Sequence, residues 1–149
     1  MAEIKGGEKL EAFLSDMAKK VSNPATLRVG FIDGSTDESG TSNAMKAAIN
    51  EFGAPSRGIP PRPFMRTTVA NKSAGWAETI AMLLKQTNYD AVETLNLMGD
   101  GIKGQIQDSI FNGGWIPNKP STLKRKAGKQ PLVDTGAMAG SVSWEVKTE

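Results

Sequence analysis

The chain of 149 residues carries 18 lysines and arginines against 16 aspartates and glutamates, and a net charge of +2 is too small to imply a polyanionic partner by itself. It contains no cysteine and no histidine, which excludes disulfides, thiolate nucleophiles, sulfur-ligated zinc and every triad built on histidine. With 38% hydrophobic and 6% aromatic residues, the expectation is one domain over residues 1–149 around a modest aliphatic and methionine core.

Leu10, Phe13, Leu14, Met17 and Val21 recur at helical spacing with Glu8, Lys9, Glu11, Lys19 and Lys20 between them, so residues 7–21 read as an amphipathic helix ended by Asn23-Pro24. Burying five such side chains contributes roughly 1.5–3 kcal/mol each, which puts this helix in the core; a partner-binding helix is the alternative. Residues 27–32 alternate, with Leu27, Val29 and Phe31 on one face of a half-buried strand, and Gly30 points to a bulge or a close backbone approach. Residues 33–40 are a polar run of turn formers. Their carboxylate and glycine order fails the EF-hand pattern, so a flexible solvated loop is expected instead of a calcium site. Thr41 or Ser42 can cap a short helix through Ala44, Ala47, Ala48 and Ile49, stopped by Gly53.

No regular element can cross residues 50–66, where Pro55, Pro60, Pro61 and Pro63 crowd together with Arg57, Arg62, Arg66, Phe52 and Phe64. Residues 59–64 read as a stiff polyproline-like rod with Phe64 as an anchor at its end. A surface connector between helices is the plain reading, and a docking element the sharper one. Next, Val69, Trp76, Ile80, Leu83 and Leu84 mark a helix over residues 67–86, interrupted at Thr87-Asn88. A further helix over residues 90–111 carries Val92, Leu95, Met98, Ile102, Ile106 and Ile110 on one side. Its glycines at 99, 101 and 104 cost about 1 kcal/mol each in helix propensity, so another backbone comes close there or the helix bends. These glycines spell Gly-x-Gly-x-x-Gly, but helical periodicity precedes them where a nucleotide fold has a strand, and no acid follows near Leu123. Helix packing is the better reading.

Residues 113–149 hold six basic and three acidic groups, whereas residues 67–112 hold three and five. Lys119, Lys124, Arg125, Lys126 and Lys129 in the loop could contact phosphates, although the interleaved aromatics of a single-strand platform are missing and a solvated surface is the plain reading. Asp134 can cap a turn over residues 135–138, and Val142, Trp144 and Val146 alternate as a closing strand. The whole pattern is that of an α+β domain, a small mainly antiparallel sheet packed on two or three long helices, with early and late strands paired. No paired-carboxylate constellation suggests an enzyme. No signal-type apolar block and no membrane-length apolar run is present, so a cytoplasmic product is expected.

Two separated stretches carry a family resemblance: Glu51-Phe52-Gly53 followed by Ile59-Pro60-Pro61-Arg62-Pro63-Phe64-Met65-Arg66, and Pro131-Leu132-Val133-Asp134-Thr135-Gly136 followed by Ser141-Val142. Together, and from about Leu27 onward, the chain resembles the tail-completion and head–tail-joining (neck) morphogenesis proteins of long-tailed bacteriophages, the phage virion morphogenesis or minor tail type. The resemblance implies a structural protein of the virion neck, assembled in the host cytoplasm without cofactor, metal or membrane. It implies a homo-oligomeric ring, sixfold to match the tail, between the head connector or adaptor and the tail terminator or tail tube, with DNA passing through the lumen without sequence-specific contact. In such a ring Arg57, Ile59, Pro60, Pro61, Arg62, Pro63, Phe64 and Arg66 are candidate subunit contacts. Residues 33–41, 53–66 and 113–131 are then loops that order on assembly of a chain that is monomeric or weakly associated alone. A nucleic-acid-binding accessory protein using the basic loop 117–131 is the alternative. A proline-rich ligand at residues 60–63 for an SH3-type groove is a weaker one, since a virion offers no obvious reader.

Overall fold

Residues 6–148 are described by the computed structural model. In chain order they form α1 (Gly7–Ser22), β1 (Ala25–Gly30), α2 (Asn43–Phe52), α3 (Phe64–Lys72), α4 (Trp76–Gln86), α5 (Ala91–Asn112), the single turns α6 (Pro120–Leu123) and α7 (Ala137–Gly140), and β2 (Ser143–Thr148). The fold is α+β, as the element pattern implied. Asp90 starts α5 by accepting the Glu93 N–H at 2.9 Å. The helical period then puts Thr94, Met98, Ile102, Ile106 and Ile110 on one buried face. Helices α3 and α4 and both strands pack against α5. Phe64, fully buried, meets Phe31 edge to face with ring centres 6.2 Å apart.

The strands pair antiparallel, Leu27 opposite Val146 and Val29 opposite Trp144. Period-two alternation puts these four side chains on the face towards α5. The other face is polar, with Glu145 3.5 Å from both Arg28 and Lys147. Gly30 pairs with Ser143 without an extra residue, so there is no bulge. Gly99 is where a close approach is required: a Cβ there would lie 2.6 Å from Trp144 Cγ and 2.9 Å from Leu27 Cδ1. Gly101 and Gly104 face open space and serve no such contact.

Three expectations are corrected. Helix α1 forms, but it is not part of the core. None of its residues is buried, Leu10, Phe13, Leu14 and Val21 are about half exposed or more and Met17 is half-buried, and only its end, at Lys19 and Lys20, comes beside the start of α5 and the end of β2. Asn23 is extended (φ −77°, ψ 113°) ahead of Pro24, and β1 starts at once, which leaves α1 outside the layer that α5 forms with the sheet. The helix expected over 67–86 begins earlier, at Phe64, and is divided by a 3₁₀ turn at Ser73–Gly75, where small residues give up helical geometry at little cost in packing. The loop after β1 is solvated at most positions, as expected, but it is tied together around one carboxylate. Asp37 Oδ1 accepts the N–H groups of Ser39 and Thr41 at 2.9 Å each and the Ser39 hydroxyl at 2.7 Å, and Oδ2 pairs with Lys46 of α2. As expected, Ser42 caps α2, accepting the Met45 N–H at 3.3 Å.

Candidate interface around the proline-rich segment

The last turn of α2 delivers Asn50 and Glu51, and Gly53 (φ 75°, ψ 175°) ends the helix. A Cβ on Gly53 would sit 2.8 Å from Pro61 N and 2.9 Å from Ile59 O, so glycine alone fits this crossing of two backbones. Ala54 and Ile59 exchange both main-chain bonds, at 2.9 and 3.1 Å, around a 3₁₀ turn at Pro55–Arg57. Residues 59–64 are therefore not a free rod. Their first residue is pinned to Ala54, and the Arg62 N–H donates to Asn50 O at 2.6 Å. The Phe64 N–H then closes onto Arg62 O at 2.8 Å around Pro63 (φ −77°, ψ 62°), an inverse γ-turn that leads into α3.

The first turn of α3 needs acceptors for its N–H groups, and Pro63 before it has no side-chain acceptor to give. Glu51 supplies them from α2. Its carboxylate, in a residue 5% exposed, accepts the Met65 N–H at 2.9 Å through Oε2 and the Arg66 N–H at 3.1 Å through Oε1. Arg66 Nε donates to the same Oε1 at 2.9 Å, Nη2 donates to Glu51 O at 3.0 Å, and the guanidinium lies 5.1 Å over the Phe52 ring.

Arg62 is 4% exposed and makes no ion pair among the described residues. Neutral oxygens surround it instead: Nε donates to Ile116 O at 2.8 Å, Nη2 to Asn118 Oδ1 at 3.1 Å and Pro117 O at 3.5 Å, and Nη1 to Asn50 Oδ1 at 3.4 Å. Burial pulls its pKa below the ordinary arginine value, yet a guanidinium does not lose its proton in a protein. Lys126 approaches from the same loop, donating to Gln130 O and Pro131 O at 3.0 Å each, and Asn118 Nδ2 donates to Pro131 O at 3.0 Å. Burial lowers the Lys126 pKa, opposed by the Asp134 charge and reinforced by Arg62. The two signature stretches thus meet. Asn50, Arg62, Asn118, Lys126 and Pro131 surround one cleft of about 290 Å3, whose mouth is lined by Arg57 and Lys119 and whose lining holds no acid.

Arg62 and Phe64 are buried within the chain and are corrected as subunit contacts: one is consumed by the brace to residues 116–118, the other by the core. Arg57, Pro61 and Arg66 are exposed, and Ile59, Pro60 and Pro63 half-buried. Of the basic loop residues, Lys119 and Lys126 enter the cleft, whereas Lys124, Arg125 and Lys129 stay exposed outside its lining. Asp134 does not cap the following turn. Its Oδ1 accepts the Ala127 N–H at 2.8 Å, drawn there by the fold of residues 118–131, and Thr135 Oγ1 accepts the Ala137 N–H at 3.3 Å. The sequence reading missed the roles of Asn50, Glu51 and Asn118. A signal for Glu51 existed: a helix start preceded by prolines has no acceptor of its own.

No family model matches the chain, and neither a curated protein nor a solved structure matches it. Among the described residues no helix is long and apolar enough to cross a membrane, and no group of three or more acidic side chains is placed to hold a metal ion.

Proposed function

We propose that this chain is a structural subunit of a bacteriophage neck, completing the tail and joining it to the head connector as part of a ring around the DNA channel. One observation carries the reading: most of the apolar stripe of α1 (Leu10, Phe13, Leu14, Val21) is exposed, and no residue of the helix is buried. Such a stripe costs free energy in water until another chain covers it. The resemblance of the two stretches now meeting at Asn118 and Pro131 directs that need for a partner towards the neck of a virion. Arg57, Pro61 and Arg66 are the exposed candidates for a second contact.

The test is a triple variant, Leu10→Ser, Phe13→Ser and Leu14→Ser, compared with the parent chain in virions. The parent is expected at the head–tail junction by immunogold electron microscopy. The variant is expected to keep its melting temperature and to leave tailless heads. A parent absent from the junction, or a variant that still joins heads to tails, overturns the proposal.

A further inference from the structure

We infer that the cleft between the proline-rich segment and residues 117–131 is a binding site for a phosphate group. Four cations line it, Arg57, Arg62, Lys119 and Lys126, and no carboxylate does. Two of them are built into the floor. Arg62 is almost wholly buried, its charge answered only by carbonyl and amide oxygens. Lys126 spends two of its three N–H groups on Gln130 O and Pro131 O and has one left. The exposed Lys119 ammonium lies beside the tight turn at Gly58, 2.8 Å from where a Cβ on that glycine would be, so a larger residue at 58 would displace it. Asp134, the acid whose charge acts on Lys126, lines the neighbouring pocket and is engaged by the Ala127 N–H.

Like charges repel, and Lys126 feels Arg62 as well as the opposing charge of Asp134 outside the lining. A chain that holds four cations around about 290 Å3 gains most from a ligand with more than one negative charge and several acceptor oxygens. A phosphate group has both, whereas a single carboxylate answers one cation. The phosphate can come from the DNA backbone or from a free phosphate or phosphomonoester, and the chemistry of the cleft is the same for both. The inference stands apart from the neck proposal, because it concerns the isolated chain.

The experiment titrates the full chain with inorganic phosphate and pyrophosphate by calorimetry, and with a fluorescent duplex oligonucleotide by anisotropy at about 50 and about 200 mM salt. Arg57→Ala with Lys119→Ala removes the two exposed cations without touching the brace, and Lys124→Ala with Arg125→Ala removes two that lie outside. Saturable phosphate binding, weakened roughly tenfold or more by the first pair and unchanged by the second, is the expected result. Duplex bound and displaced by inorganic phosphate identifies the DNA backbone as the source; phosphate bound without duplex identifies a free phosphate. The inference is overturned if neither probe binds or if both double variants lose affinity equally.

Discussion

At the scale of single residues, Glu51 shows how a buried carboxylate is made useful by backbone donors more than by its ion pair. The Arg66 side chain is largely exposed, so its attraction to Glu51 is screened and is worth about 1 kcal/mol or less. Two N–H groups at the start of α3 have no other acceptor. Arg66→Ala is therefore expected to cost about 0.5–1 kcal/mol in urea unfolding, and Glu51→Ala about 2–3 kcal/mol. Equal losses would show that the ion pair and not the cap carries the effect. Asp37 gives a pH prediction. Lys46, then the Ser39 hydroxyl and the Thr41 N–H, hold its carboxyl well below the ordinary value of 3.8. A depressed folded-state pKa adds stability above the ordinary value, and that stability is lost as pH falls through the acid range towards the folded value. The fall in melting temperature between about pH 5 and about pH 3 should be shallower in Asp37→Asn than in the parent. Identical slopes would mean that Asp37 ionisation is not coupled to folding.

At the scale of elements, the glycines of α5 separate propensity from packing. Gly101→Ala and Gly104→Ala place a methyl group in open space and are expected to raise stability by about 0.5–1 kcal/mol each. Gly99→Ala drives a methyl group into the Trp144 ring and should lower it, a difference in sign that urea midpoints resolve. A chain ending before Ser141 loses Val142 from the core and the whole partner of β1, so it should show no cooperative melt; an unchanged melting temperature would remove β2 from the account of stability. The alternation in both strands and the period of α5 were legible in the sequence because each reflects one face against one core. The place of α1 was not, because amphipathicity says that a face needs covering but not which chain covers it. Nor was the burial of Arg62, since its acceptors at Ile116, Pro117 and Asn118 are far away in sequence and no local pattern joins them. In the candidate site, the two signature stretches were visible separately, and their meeting at Asn118 and Pro131 was visible only in three dimensions.

At the scale of the whole molecule, the connections expected to be loose are tied within the chain, residues 33–41 by Asp37, residues 53–66 by Glu51 and Arg62, and residues 113–131 by Arg62, Lys126 and Asp134. The weakest part is instead α1, because a helix of 16 residues with no buried side chain is marginal in water. Limited trypsin treatment of the dilute chain should cut first at Lys19 and Lys20, before Arg57 or Lys126, and if the chain is part of a virion the same sites should be protected there. First cuts within residues 57–66 would reverse that order. The Arg62 brace also has a consequence for biosynthesis. Its bonds to Ile116, Pro117 and Asn118 span 54 to 56 residues, a loop that closes only after α3, α4 and α5 have turned the chain back. A ribosome that has made the proline-rich segment has not yet made its acceptors. The cationic cleft is therefore absent from the nascent chain and arises only once residues 116–131 have been made and folded back, so a product stalled before them lacks it.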